Sequence, residues 1–277
     1  MVTLDQSSTE TLLALGLGDR MVGTSNLKTR IAPEYQAAYD KVPVLSPKIA
    51  TGEQVRAATP DLVMSSFVDL FTKDRVGTRE ELDEIGLPSY ISAVDCPQDN
   101  PAGMTAFDLL FRDYENLGTL FGVQDRAAKL VADQRAVVDG VIKVKGDVSV
   151  LWLYSAFKNT PYVAGGTSLP TAMGAQLGVR NVFDDIAQDW PEVSWEEIAK
   201  RDPAVIVVGD LSERGRPGDS AAEKIAMLRQ DPAVSQLTAV RENRIIQVPG
   251  IELDPSVRSV HALQAVAEGL RGLGHAG

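Results

Sequence analysis

The chain has 277 residues, room for two domains or one large one, with 27 Lys and Arg against 38 Asp and Glu and a net charge of −11. That charge excludes a nucleic-acid backbone as a partner and disfavours anionic membrane surfaces, since both draw on Lys and Arg to neutralise phosphate. With 44% hydrophobic residues the chain can bury a large core, and no apolar run reaches the ~18 residues of a membrane-spanning helix.

Strand signals at Val2–Leu4, Met21–Thr24, Val42–Leu45, Leu62–Ser65 and Ser89–Val94 alternate with helical patterns, which predicts α/β layers with mostly parallel strands. Ser7 and Glu10 have capping-box spacing ahead of Leu12, Leu13 and Leu15, and Gly16 or Gly18 ends that helix. Thr105 to Val144 holds neither a strand signal nor a proline. Its apolar stripe Leu130, Val131, Val137, Val138, Val141 and Ile142, interrupted by Gln134, predicts a helix over 125–144. At about 1.5 Å per residue that helix is roughly 30 Å long and stiff, so it allows limited hinge motion. Strand signals return at Val148–Tyr154, Ala204–Val208 and Arg244–Val248, with helical patterns at Ser168–Leu177, Glu196–Lys200, Ala221–Arg229 and Ser256–Leu273. The expected organisation is an N-terminal α/β lobe (1–104), a helical connection (105–145) and a C-terminal α/β lobe (146–277).

The halves echo each other. Glu53, Val55, Pro60 and Leu62-Val63 recur without a gap as Glu196, Ile198, Pro203 and Val205-Ile206, and each copy reads as a short helix, a proline stop and a buried strand. Any α/β chain repeats such units, but the glutamate kept at the helix start in both copies favours a true internal repeat.

Chemistry-bearing motifs are sparse. The single Cys96 rules out an internal disulfide and any Cys-based zinc or iron–sulfur site. His261 reads as an ordinary helix residue, and His275 lies in a glycine-rich tail. Gly16-Leu17-Gly18 lacks the third glycine of a dinucleotide fingerprint, because Met21 stands there. Asp184-Asp185 reads as a solvated turn. No catalytic or metal-ligating set is expected. Met1-Val2-Thr3-Leu4 reads as a strand with no signal peptide before it, so the protein is either cytosolic or separated here from a targeting segment.

The ordered set Ser8-Thr9-Glu10, Leu12, Leu15-Gly16-Leu17-Gly18, Glu53 to Val63, Gly165 to Gly178, Asn181-Val182-Phe183 and Val193-Ser194-Trp195-Glu196-Glu197-Ile198 spans nearly the whole chain. In this set the chain resembles the helix-backbone class of ABC-transporter solute-binding proteins, which bind ferric siderophores, cobalamin or haem. The resemblance implies two Rossmann-like lobes joined by one long α-helix, with the ligand in a cleft between them. It also implies that Glu53 and Glu196, one per lobe, dock into arginine pockets of the permease by charge-assisted hydrogen bonds. Acids at a helix start also complement its dipole, and that reading stays open. Glu10 looks family-like too, but its capping-box position accounts for it.

Ligand contacts are expected where loops leave the carboxyl ends of the strands. These are Asp5-Gln6, Leu27-Lys28, Lys48 and Phe67 in the first lobe, and Tyr154, Phe157-Lys158, Tyr162, Trp190, Glu252 and Arg258 in the second. Tyr162 and Trp190 match positions where cobalamin-binding relatives place aromatic contacts. Lys48, Lys158 and Arg258 are candidates to face an anionic chelate. Cys96 follows a strand and is more often inert than functional at such a place. It is not expected to be the family's lipid-anchor cysteine, which precedes the first strand.

The expected function is therefore not enzymatic. The protein is expected to be an extracytoplasmic monomer, periplasmic or a surface lipoprotein whose anchor is absent here. It would capture an iron–siderophore chelate for an ABC permease dimer and its ATPase. Cobalamin or another corrinoid is the alternative ligand and haem the third. The chelate is cargo, and no intrinsic cofactor is expected. Two readings of other classes compete: an enzyme of similar plan, such as a metallocluster reductase, which one cysteine disfavours, and a sensor passing its ligand to another partner.

Overall fold

Alternating β-branched runs and helical patterns produce two five-stranded sheets in the computed structural model, which describes residues 1–96 and 99–275. Met1–Asp133 with Pro255–Val257 form one unit, and the other described residues form a second.

In the first unit, β1 (Val2–Thr3), β2 (Gly23–Ser25), β3 (Val44–Ser46), β4 (Val63–Ser65) and β5 (Ser89–Ile91) are all parallel, in the order β3-β2-β1-β4-β5. The order reverses between β1 and β4, the place where open α/β sheets bind ligands. Both faces of the sheet are covered. Met1 and Met64 pack with Leu12, Leu15 and Leu117, whereas their neighbours Val2 and Val63 pack with Val55, Leu70 and Leu82. Neighbouring residues go to opposite sides because strand side chains alternate with a period of two.

Helix α1 (Gln6–Ala14) departs from expectation at its start. Its N-cap is Asp5, whose side chain accepts from the Ser8 N–H at 2.9 Å, and Ser7 lies inside the helix. Asp wins because it is the last residue in extended conformation after β1, which an N-cap requires. Glu10 is therefore no capping-box partner: its Oε1 accepts from Gln6 and from the Ala32 N–H. The unit continues through α2 (Pro33–Tyr39), α3 (Gly52–Ala57), α4 (Arg79–Glu84) and α5 (Ala106–Phe121). Gly122, at φ +70°, caps α5 and separates it from α6 (Gln124–Gly140).

Residues 105–145 thus hold two helices, and the unit boundary falls inside α6 at Asp133. The helix expected to reach Val144 stops at Gly140, because the Val144 N–H bonds Leu177 O at 2.7 Å instead of continuing the helical ladder. Val131 and Val138 are buried as the stripe requires, while Ile142 lies beyond the helix end and is exposed.

The second unit contains β6 (Ser149–Phe157), β7 (Thr160–Val163), β8 (Arg180–Asn181), β9 (Val205–Asp210) and β10 (Ile245–Pro249), in the order β10-β9-β6-β7 with β8 also on β6. Its helices are α7 (Leu169–Leu177), α8 (Trp195–Arg201), α9 (Ala221–Gln230), α10 (Thr238–Arg241) and α11 (Ser259–Gly272). Leu151, Leu153, Phe183, Ile198, Val208 and Leu228 pack in one core cluster of this unit. The antiparallel β7 was not expected. A two-residue turn makes it, with Lys158 at φ +49° and Asn159 at φ +65°, between the paired residues Phe157 and Thr160. Two positive φ values match the twist of the flanking strands, and only Asn159 signals this in sequence.

The internal echo extends into structure. Thr51 and Ser194, each two residues before the repeated glutamate, are the N-caps of α3 and α8, each accepting from the main-chain N–H three residues on. Val55 and Ile198 are fully buried beneath, and each helix leads to a parallel strand, β4 or β9.

Candidate functional site

In the first unit, the carboxyl ends of β1 and β4 meet at Asp5, which is buried. Besides the Ser8 N–H, its carboxylate accepts from Ser8 Oγ (3.0 Å), Ser65 Oγ (3.0 Å) and the Ser66 N–H (2.8 Å). Burial pushes its pKa up, although these donors oppose the shift. The bonds lock the two strand ends together at the switch point. Phe67, half-buried, follows directly, and Lys28 from the loop after β2 lays its Nζ 5.1 Å from the ring centroid. Lys48, expected beside them, is exposed past β3, with its N–H on Ser46 Oγ.

In the second unit, Tyr154 lies at a bulge of β6, between the register pairs Leu153–Val163 and Ser155–Tyr162. Such bulges re-aim side chains beside functional sites. The Tyr154 ring packs on Trp190 with centroids 4.4 Å apart and planes tilted by 33°, and its hydroxyl donates to Asp254 Oδ2 at 3.2 Å. Trp190's described ring partner is thus Tyr154 and not Tyr162, which pairs on β7 opposite Ser155. Tyr162 donates instead to Glu192 Oε1 at 2.5 Å, and that bond raises the phenol pKa. Lys158 occupies the exposed hairpin tip with its Nζ 5.3 Å from the Phe157 ring centroid. Arg258 begins α11, 3.7 Å from Glu252, and His261 stands 3.9 Å from the same carboxylate.

Sequence reasoning missed the groups that stiffen this corner. Arg214 makes a two-pronged pair with buried Asp219 at 2.7 and 2.8 Å. Burial opposes the Arg214 charge, but Asp219, Tyr154 and Asp254 outweigh it and raise the pKa. Ser155 Oγ donates to the same aspartate at 2.9 Å. Lys224, fully buried, donates to the carbonyls of Gly209 and Asp219, and burial brings its pKa down to about 8. Gly218 permits the loop to close, since a Cβ there would stand 2.3 Å from Ala156 O. Arg214 and Asp219 are far apart from β6 in sequence, so no spacing announces them.

Glu53 and Glu196 are both exposed and occupy the second helical position of α3 and α8. Glu196 borders a recess of about 510 Å³ with Asn159, Glu192, Trp195 and Asp231. Its own N–H and then the Ser194 hydroxyl hold its carboxyl below the usual range. A second hollow of about 410 Å³, between α6 and α11, is lined by none of the expected residues, so volume alone does not locate the site. Among the described residues no cluster fit to hold a metal occurs, and no helix is long and apolar enough to cross a membrane.

Comparison with known proteins agrees with this architecture. Residues 1–251 match the model of a family described as periplasmic binding protein. The chain belongs to the periplasmic binding protein family. Its fold is similar to that of a periplasmic binding protein from Veillonella parvula (TM-score 0.83, 30% identity, 98% of this chain and 90% of the other). It is also similar to an ABC-type Fe3+-hydroxamate transport system from Saccharomonospora viridis (TM-score 0.78, 28% identity, 97% and 92%). A vitamin B12-binding protein of Yersinia pestis is 24% identical over 213 residues, 75% of this chain and 68% of its own length. Periplasmic binding proteins of this kind are extracytoplasmic solute-binding components of ABC importers, serving a permease and its ATPase, and are not enzymes.

Proposed function

We propose that this periplasmic binding protein captures a ferric siderophore and delivers it to its permease. The observation that carries the reading is the half-buried Trp190 ring packed on Tyr154, a rigid apolar surface with half-buried Arg214 close to Tyr154, while Tyr154, Asp219 and Asp254 are themselves buried. A ring pair costs little conformational entropy to order, and nearby charges orient a polar chelate on it. Lys158, Tyr162 and Arg258 are the further ligand contacts of this reading in the second unit, and Phe67 and Lys48 are its contacts at the strand ends of the first unit, each taken by itself. The likeness to the Fe3+-hydroxamate system supports iron as the cargo. A corrinoid is the second reading, favoured by the vitamin B12-binding relatives. Haem ranks third.

Glu53 and Glu196 meet permease arginines in this reading, supported by their equal helical position and exposure. The protein works as a monomer outside the cytoplasmic membrane, with a lipid anchor as one means of retention. Titration of tryptophan fluorescence with ferric siderophores, cyanocobalamin and haemin tests the cargo. Saturable quenching by a siderophore alone supports the first reading, saturation by cyanocobalamin alone replaces it with the second, and no response to any of them refutes all three.

A further inference from the structure

The apolar stripe of α6 is only partly spent on the core. Val131 and Val138 are buried, whereas Val137 is half-buried and the stripe runs on past the helix end at Gly140 into Val141 and Ile142. Two bonds turn the chain away there. Gln176 Nε2 donates to Val138 O at 2.8 Å, and the Val144 N–H donates to Leu177 O at 2.7 Å. From the other side α11 offers Gln264, Ala267, Glu268 and Arg271, which share one face at helical spacing, while Val266 and Leu270 are buried. Ala267 and Gly140 fill little of the space between, so the hollow of about 410 Å³ stays open. A Cβ added at Gly140 would meet nothing within 4 Å. All the lining residues belong to the second unit.

Val137, Val141, Ile142 and Val144 make much of this lining aliphatic, and Arg271 and His275 line it where α11 ends. The last carbonyls of α11 are capped from the main chain, Leu270 O by the His275 N–H at 2.9 Å and Arg271 O by the Gly274 N–H at 3.0 Å. The two side chains are therefore not needed as caps. His275 Nε2 is buried with no hydrogen-bond partner, and among the described residues Arg271 makes no ion pair. Glu268, the one acid of the lining, is exposed. Small-molecule sites are mostly apolar hollows of about 300–1,000 Å³ with a few placed polar groups. A guanidinium beside an imidazole is a donor set for a carboxylate, and the aliphatic lining suits an unbranched chain.

We propose that this hollow binds a medium-chain alkanoate, with its chain against Val137, Val141 and Ile142 and its carboxylate on Arg271 and His275 Nε2. None of the residues assigned to the chelate lines it, so the site is independent of the cargo. The chain has two histidines, and imidazole nitrogen NMR therefore reports the site directly, with His261 as internal control. Titration of the full chain with sodium octanoate shifts the His275 resonances saturably and leaves those of His261 in place. Hexanoate binds about tenfold more weakly, as two fewer buried methylene groups require. Octanol and octylammonium, which lack the carboxylate, are also weaker by about tenfold. Arg271→Gln weakens octanoate by a similar factor, and Ala267→Phe, which fills the hollow, abolishes saturation, whereas Trp190→Ala changes neither. Arg271 is exposed, so its exchange keeps the test decisive even if Ala267→Phe does not fold. Equal binding of octanoate, octanol and octylammonium, a His275 signal that does not saturate, or unaltered octanoate affinity in Arg271→Gln overturns the proposal and leaves the chelate reading untouched.

Discussion

Trp190 and Tyr154 carry the ligand reading at the level of single residues, and they are separable by substitution. Trp190→Ala removes one plate of the stack and is expected to weaken chelate binding by about 1–3 kcal/mol, measured by calorimetric titration. Tyr154→Phe keeps the stack but deletes the bond to Asp254, at a cost of about 1 kcal/mol in stability on chemical denaturation. A larger affinity loss in Tyr154→Phe than in Trp190→Ala would mean that the hydroxyl, not the ring face, meets the ligand. Glu53→Gln with Glu196→Gln leaves chelate affinity unchanged and abolishes stimulation of the permease ATPase in vesicles, and unaltered stimulation would refute docking through these carboxylates. Both glutamates are legible from sequence because a gapless echo marks them. The Trp190–Tyr154 contact is not, because it depends on a one-residue bulge that no composition rule foresees.

Among the elements, the caps of α3 and α8 and the anchor of α5 invite measurement. Thr51→Ala and Ser194→Ala each remove a hydroxyl that accepts a helix-start N–H, and each is expected to cost about 1 kcal/mol on urea denaturation. Asp113 ties α5 to the end of β5, accepting from Tyr90 Oη (2.7 Å), Ser92 Oγ (2.6 Å) and the Ala93 N–H (3.0 Å). Burial pushes its pKa up to about 6 despite these donors. The folded state therefore holds this proton more tightly than the unfolded state. Its contribution to stability is full below about pH 4 and is lost as pH rises through 6, a span on the order of 2–3 kcal/mol. Thermal denaturation of Asp113→Asn from pH 4 to 7 is expected to show a flatter profile than wild type, and parallel profiles would contradict the assignment. Capping of α3 and α8 follows from Thr or Ser ahead of a helical run. The start of α1 deceived the same rule, since Ser7 and Glu10 have the spacing but Asp5 has the backbone conformation.

For the whole molecule, binding by a folded carrier must appear as stability. A chelate at about 100 times its dissociation constant adds about 2.7 kcal/mol, and a melting temperature unmoved by saturating chelate would exclude binding to the folded state alone. Strand and helix alternation and the gapless echo determined an α/β chain of two related halves, with one glutamate per half at a helix start. These are local or periodic properties, written in neighbouring residues. Tertiary structure alone decided the strand order that puts Asp5 beside Ser66, the stack of Tyr154 on Trp190, the pairing of Arg214 with Asp219 behind it, and the approach of Lys28 to the Phe67 ring. All but the Arg214–Asp219 pair, which closes one loop between β9 and α9, join groups on different strands or loops. Their meeting follows from sheet register and from the need of every buried polar group for a partner, conditions that no single stretch of sequence contains.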